Sequence, residues 1–388
     1  MKNVWILTLA QALAGCGTIM LVAFGGIAGA RLAPNPALAT LPLSLSVLGV
    51  ALTAIPASLL MRRIGRKPAF VGSALIAAVA ALICAQSLAS QNFVLLCVAA
   101  VLLGCNMAFV QQYRFAATEY LPADQAGTAV ARVMLGTLAA ALLGPGIGAL
   151  FKDAMGWPEF TGSFVALAVI ALAAAGVLLQ LTPAPEMPTA ADGPARPLRQ
   201  IATQPDYRLA VFAGVVSYAV MSFIMTATPI SMHVHDGYTS GQTTAVITAH
   251  LLGMYLPSLA TPWIVTRLGL RAMLLWGSAA MALCIAISAL LEHAFAHYFW
   301  GLVLLGLGWN LMFVAATTLL TTTYRNAERF AAQGLNDFTI FGAQAIASLL
   351  AGSAIATIGW EWVNLVSLPL VALVFAAALL RRRRQAAP

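Results

Sequence analysis

Twelve stretches of about 20 mostly apolar residues follow one another along this chain, and they constrain its fold more than any other feature. A single stretch can cross a bilayer only as a helix, because a helix pairs its backbone N–H and C=O groups internally. Charged residues make up 8% of the chain, against about 25% in soluble domains. The sequence therefore predicts an all-α membrane protein with twelve transmembrane helices. The predicted spans are residues 4–30, 37–61, 69–88, 93–112, 128–151, 160–181, 207–232, 242–266, 272–290, 298–321, 331–358 and 362–380.

A polar, proline-rich segment at residues 182–205 is the only long connection between these spans. The chain repeats itself across this segment: Gly65 and Gly269 are 204 positions apart, and Asn106 and Asn310 keep the same offset. A constant offset indicates a duplicated unit. We therefore predict a six-helix bundle at residues 1–181, a cytoplasmic linker at 182–205 and a second six-helix bundle at 206–388.

The lysine and arginine residues fix the orientation, because basic loops stay on the cytoplasmic side of a membrane. Among the 20 basic residues, only Arg31 and Lys152 fall on the outer side of the predicted topology. Both termini and the linker are therefore predicted to be cytoplasmic, in a multi-pass membrane protein. The net charge of +8 comes from helix ends, so it indicates no nucleic-acid partner. We expect a monomer in a lipid bilayer.

Two segments around spans seven and eight carry soft metal ligands at helical spacing. MSFIM places Met221 and Met225 four residues apart, and HLLGM does the same for His250 and Met254. Residues four apart share one face of a helix, and neutral thioether and imidazole groups suit Cu(I). Counted along the two spans, Met225 and His250 fall roughly 5–8 Å outside the midplane, and Met221 and Met254 lie close to it. The sequence predicts two facing tiers of ligands.

Prolines adjoin both segments. Pro229 removes the hydrogen bond to the Met225 carbonyl, and Pro257 removes the bond to Gly253. Interrupted helices at membrane depth are tolerated where they line a cavity, and transporters use them for binding sites. We therefore predict helix breaks beside the candidate site.

The loop after span two resembles a signature of the major facilitator superfamily, G-x-L-A-D-R-x-G-R-K. The residues that match are Leu60, Arg63, Gly65, Arg66 and Lys67, whereas Ser58 and Arg62 depart from the pattern. The resemblance implies two six-helix halves with a substrate site at midplane, and gating contacts for Arg63, Gly65 and Arg66. Arg62 stands where the signature has an aspartate, so the usual gating contact lacks its carboxylate.

The paired Met and His segments resemble those of the CcoA-type copper importers, a bacterial branch of this superfamily, which implies a multi-pass protein of the bacterial inner membrane. That resemblance implies that Met221, Met225, His250 and Met254 are the metal residues. It also implies copper import into the cytoplasm for assembly of cbb3-type cytochrome oxidase. Copper would be the substrate, and no permanently bound cofactor is expected.

Three residues at the outer end of span seven, Met232, His233 and His235, are candidates for metal capture at the entrance or for a plain interfacial cluster. Asp337 either couples protons or pairs with Arg325 or Arg329, and the pair is the favoured interpretation.

Asn106 and Asn310 are candidate cavity-lining polar groups, with hydrogen bonding between helices as the alternative. No P-loop and no catalytic constellation occurs in the sequence, which predicts a secondary transporter rather than an enzyme or an ATP-driven pump. Two alternatives stay open beside copper import: a proton-coupled exporter of drugs or small metabolites, and a membrane sensor that binds copper without moving it.

Overall fold

The computed structural model describes residues 1–35, 38, 41–154, 158–183, 195–291 and 294–381, and within them it contains helices and no strands. Its fifteen α-helices are α1 (Lys2–Met20), α2 (Gly26–Leu32), α3 (Leu41–Ile64), α4 (Arg66–Ala89), α5 (Phe93–Val110), α6 (Tyr113–Thr118), α7 (Ala126–Phe151), α8 (Thr161–Leu178), α9 (Leu198–Ala202), α10 (Pro205–Pro229), α11 (Ser240–Tyr255), α12 (Thr261–Leu290), α13 (Phe295–Thr321), α14 (Arg329–Leu365) and α15 (Leu368–Leu380). The predicted all-helical membrane fold is confirmed.

Ten helical segments among the described residues are long and apolar enough to cross a membrane. One of them, Asn326–Leu380, contains both α14 and α15, and α11 falls below the length of a full span with its 16 residues. Large apolar side chains lie exposed on the outside of these helices, among them Trp263, Trp276 and Leu380. Lipid tails are the medium in which such a surface is stable.

Gly65 and Gly269 adopt nearly the same backbone conformation, with φ of 88° and ψ of 162° at Gly65 and φ of 75° and ψ of 169° at Gly269. A positive φ of this kind strains any residue that carries a Cβ, so glycine is required at both turns. Gly65 precedes the first turn of α4, and Gly269 bends α12. The shared geometry supports the predicted duplication at these two positions.

The chain divides into two compact units. The first comprises Met1–Leu198 together with Arg325–Ala345, and the second comprises Arg199–Tyr324 together with Ile346–Pro388. In the first unit α1 packs on α7, α3 on α5, and α4 on both α5 and α8. In the second unit α13 is central, since α10, α11 and α12 all pack against it. The predicted domain boundary at residues 182–205 stays a prediction, because 184–194 lie outside the described residues.

A matching close crossing of two helices is present in each unit. In the first unit, a Cβ added to Gly49 of α3 would lie 2.7 Å from the Val101 carbonyl oxygen of α5. In the second unit, a Cβ on Gly253 of α11 would lie 2.7 Å from the Val303 carbonyl oxygen of α13. Glycine lets the two backbones approach this closely. The repeat is therefore visible in the packing as well as in the sequence.

These crossings correct the predicted equivalence of Asn106 and Asn310. Gly49 and Gly253 are 204 positions apart, but their partners Val101 and Val303 are only 202 apart. Two residues turn a helical position by about 200°. Asn106 and Asn310 keep the 204 offset, so they point to different sides of their helices, and the prediction that they are equivalent is wrong.

Candidate functional site

His250 is buried on α11 and faces α13. Its side chain is 1% exposed, and its Nδ1 lies 2.9 Å from the Leu302 carbonyl oxygen. A carbonyl oxygen only accepts, so the neutral imidazole carries its proton on Nδ1 and Nε2 is left as an acceptor. We predicted that His250 faces the helix of Met221 and Met225. Its hydrogen bond instead joins α11 to α13.

The methionines of the two segments lie in apolar surroundings. Met221 and Met254 are buried, and Met225 is half-buried. The helices that carry them, α10 and α11, both pack against α13. Among the described residues, no group of three or more His, Cys, Asp and Glu side chains could hold a metal ion.

Both predicted helix breaks are present. Pro229 is the last residue of α10, and a π-helix follows at Ile230–His235. Pro257 lies in a 3-10 turn, Leu256–Leu259, which separates α11 from α12. Proline lacks an N–H, so each break falls where the helical ladder loses a donor.

Asn310 satisfies the backbone at the second break. Its Nδ2 donates to the Met254 carbonyl oxygen at 2.7 Å and to the Ser258 hydroxyl oxygen at 2.8 Å. These two bonds tie α13 to the interrupted chain and fix the orientation of the amide. They correspond to the helix-to-helix role that the sequence left open for Asn310.

Four aromatic side chains from three helices meet beside this break, and we call them the aromatic cluster. Trp309 and Phe313 of α13 stack with ring centroids 5.1 Å apart. Tyr218 of α10 packs edge-on against both rings, at 5.2 and 4.9 Å, and Tyr255 of α11 packs edge-on against Trp309 at 5.7 Å. Offset-stacked and edge-on pairs are the favoured aromatic geometries. The indole of Trp309 is therefore held from several sides.

Three buried polar side-chain atoms of α11 and α13 have no hydrogen-bond partner among the described residues. They are the indole Nε1 of Trp309, Oδ1 of Asn310 and Nε2 of His250. An unpaired buried polar group costs about 1–3 kcal/mol. Buried groups that the protein itself leaves unpaired call for a partner such as a bound water, ion or solute.

The residues proposed for metal capture do not share one environment. Met232 is fully buried and His235 is exposed. The side chain of His233 lies outside the described residues. The buried groups near this end instead form a hydrogen-bond chain from Ser231 through the Tyr298 hydroxyl to the Asp236 carboxylate, at 2.6 and 2.7 Å.

Asn106, on α5, lines a small cavity inside the first unit. Leu13, Gly17 and Leu103 are among the other lining residues, and the space holds about one water molecule. Oδ1 of Asn106 has no partner among the described residues. The cavity is too small for an organic solute.

Of the predicted gating residues, Arg66 is buried in an ionic cluster, Arg63 is exposed, and Gly65 makes the turn between α3 and α4. Nε of Arg66 lies 2.9 Å from Oε1 of Glu119, and Nη2 donates to Oε1 of Gln333 at 2.9 Å. Nε of Arg329 lies 3.5 Å from the same Glu119 oxygen. Glu119 thus supplies the carboxylate that the loop signature lacks.

Tyr120 adjoins this ionic cluster and remains a neutral donor. Burial raises the pKa of Tyr120 to about 12, and the neighbouring Glu119 carboxylate adds to the rise. Its hydroxyl donates to the Thr182 carbonyl oxygen at 2.7 Å. The bond fastens the end of the first unit's last span beside the loop.

Asp337 pairs with Arg114, and not with Arg325 or Arg329 as predicted. Nη2 of Arg114 lies 2.6 Å from Oδ1 of Asp337, and both side chains are 1% exposed. Gln112 donates to the other carboxylate oxygen at 2.7 Å. Arg329 precedes Asp337 by eight residues, about 12 Å along a helix, whereas α6 brings Arg114 into contact. The prediction chose the arginines nearest in sequence, but the residue that pairs with Asp337 lies on a different helix.

The sequence profile of the Major Facilitator Superfamily matches residues 7–230 and 210–388. The chain belongs to this superfamily. It is similar to the riboflavin transporter RfnT of Brucella anthropi, with 39% identity over 389 residues that cover 100% of this chain and 97% of that protein. It is also similar to YdeG of Bacillus subtilis, an uncharacterized MFS-type transporter, with 29% identity over 92% of this chain and 86% of that protein.

A solved structure of the same fold is the Escherichia coli fucose:proton symporter FucP. It superposes with a TM-score of 0.73 at 17% identity, over 97% of this chain and 98% of that chain. This likeness shows the fold alone. The superfamily match and the bacterial relatives make the chain a multi-pass membrane transporter of the bacterial inner membrane, as predicted.

The prediction of copper import is wrong. The predicted role in supplying copper to cytochrome oxidase depended on it and is wrong as well. A relative that is 39% identical along the whole chain is a riboflavin transporter and not a copper importer. Fourteen methionines in a largely apolar chain make a chance MxxxM spacing common. His250 and Met254 lie instead at a glycine-mediated helix crossing, where His250 bonds α13.

The aromatic cluster was not predicted from the sequence, because its four rings come from three separate helices. Trp309 and Phe313 lie four residues apart on α13, on one face of the helix. Tyr218 and Tyr255 each lie within a few residues of the segments that were singled out. Their spacing was a signal, but only packing shows that they meet.

Proposed function

We propose that this transporter carries riboflavin, or a closely related flavin, across the inner membrane. The observation that carries the proposal is the 39% identity to RfnT, which extends over the whole of this chain. Identity of that extent includes both bundles, and therefore every helix that can contribute to a substrate site. It is more specific than the fold, which many carriers of unrelated substrates share.

The chemistry of the second unit supports a flat, polar ring system as the cargo. Ligand sites are typically lined by aromatic and apolar side chains, with a few placed polar groups that fix orientation. The aromatic cluster and its unpaired polar atoms have that composition. The chain acts as a carrier rather than an enzyme, as a monomer, and without a resident cofactor.

The test is flavin flux across a sealed membrane. Purified protein in proteoliposomes should equilibrate tritiated riboflavin at rates well above protein-free vesicles, with and without a pH gradient. Expression in a bacterial strain that neither makes nor imports riboflavin should restore growth at low external riboflavin. Cellular copper, measured by elemental mass spectrometry, should stay at the level of cells without the protein. Absence of riboflavin flux in both directions would overturn the proposal.

A further inference from the structure

We infer that Trp309, Asn310 and His250 form a hydrogen-bonding subsite that recognises the imide edge of a heterocycle. The inference rests on the proposed function, since a flavin supplies such an edge, and it goes further by naming the recognising atoms. The carrying observation is that each of the three side chains is fixed at one end by the protein and unpaired at the other.

Trp309 is the donor of this subsite. Three aromatic rings contact its indole at centroid distances between 5.1 and 5.7 Å, and the side chain is 1% exposed. The ring therefore has little freedom to turn toward another acceptor. Its Nε1–H nevertheless has no partner among the described residues. A fixed donor without an acceptor is prepared for a ligand carbonyl.

Asn310 and His250 are the acceptors. The amide nitrogen of Asn310 is used by the Met254 carbonyl and Ser258, which leaves Oδ1 as the unpaired atom of the same amide. The Nδ1 of His250 is used by the Leu302 carbonyl, which leaves Nε2. An amide oxygen and an unprotonated imidazole nitrogen both accept from N–H or O–H groups.

The three side chains belong to one helix pair. Trp309 and Asn310 are neighbours on α13, and His250 contacts the same helix seven residues earlier, at Leu302. Seven residues are about 11 Å of helix. With Asn310 included, the donor and the two acceptors are spread over about 12 Å of α13, a length that a fused ring system with an attached side chain can cover.

This arrangement of one donor and two acceptors selects a chemical class of ligand. A cyclic imide or lactam presents a carbonyl acceptor beside an N–H donor, which complements Trp309 and Asn310. A polyol chain attached to the ring supplies hydroxyl donors for a more distant acceptor such as His250. A purely aromatic drug offers no hydrogen-bond partner to any of the three atoms. When it binds, the three polar atoms stay unpaired, and their free-energy cost is not relieved. The subsite therefore disfavours apolar cargo.

The first experiment removes only the indole N–H. Trp309→Phe keeps an aromatic ring in the cluster, and Trp300→Phe is the matched control on the same helix, since Trp300 is 59% exposed. Riboflavin affinity, measured by quenching of flavin fluorescence with purified protein, should be about fivefold to tenfold weaker in Trp309→Phe. It should be unchanged in Trp300→Phe. Equal affinity in all three proteins, with wild-type binding intact, overturns the subsite and leaves the proposed function standing.

The second experiment changes the ligand and is independent of how the variant folds. Riboflavin methylated at its imide nitrogen lacks the N–H donor, and the wild-type protein should bind it at least tenfold more weakly than riboflavin. Equal binding of the two flavins means that the unpaired atoms are merely hydrated, and it overturns the inference. Failure of wild-type protein to bind or move riboflavin at all refutes the proposed function instead.

Discussion

The buried pair of Arg114 and Asp337 allows a sharp prediction about stability. In Asp337→Asn, the guanidinium 2.6 Å away keeps its burial and loses its counter-charge. Removing one partner of a buried ion pair costs about 3–5 kcal/mol, because the remaining charge stays out of water without compensation. Asparagine still offers one carbonyl oxygen, which places the expected loss near the lower limit, about 3 kcal/mol.

The assay is thermal unfolding of purified protein in detergent. A loss of about 3 kcal/mol in a unit of this size lowers Tm by about 6–12 °C. Asp153→Asn is the matched control: its carboxylate is 69% exposed and lies 3.6 Å from the Lys152 ammonium. Exposed pairs of this kind contribute about 0–1 kcal/mol. Replacing both buried partners, in Arg114→Met with Asp337→Leu, should recover most of the loss. Equal Tm values for Asp337→Asn and Asp153→Asn would refute the reasoning.

Two further predictions concern the packing of each unit. Glu119→Gln removes the carboxylate that faces Arg66, and it should lower Tm by several degrees. The control, Glu159→Gln, removes the carboxylate of a more exposed ion pair and should leave Tm unchanged. Similar Tm values for the two variants would show that Glu119 does not replace the missing loop aspartate. Gly306→Ala places a Cβ within 2.5–2.9 Å of backbone atoms of α11, which cannot give way, and should cost about 1–3 kcal/mol. Gly342→Ala meets nothing within 4 Å and should be neutral or slightly stabilising, so equal effects of the two substitutions would contradict the close crossing.

Much of the fold can be predicted from short stretches of the sequence. Apolar stretches of membrane length become helices wherever they occur, since lipid leaves the backbone no other partner. Pro229 and Pro257 end helices because they lack an N–H, and Gly65 and Gly269 take a conformation that other residues disfavour. Each of these features depends only on a residue and its neighbours in the sequence, and the helical spans and the two helix breaks were predicted from it.

The site was harder to predict because its chemistry depends on which side chains meet. The four-residue spacing of Met221 and Met225 is the same whether the sulfurs bind metal or fill a core. The partner of Asp337 is Arg114, which is 223 positions away, whereas Arg325 and Arg329 lie much nearer in the sequence. The aromatic cluster draws on α10, α11 and α13, which no local pattern connects.

The sequence alone determined that this protein is a helical carrier of the inner membrane, because burial in lipid acts on each segment separately. Only the tertiary structure decided that His250 bonds α13, that Glu119 and not a loop aspartate neutralises Arg66, and that Trp309 is held with its N–H unpaired. Those outcomes depend on the rotation of one helix against another, where a shift of two residues turns a side chain to the opposite face.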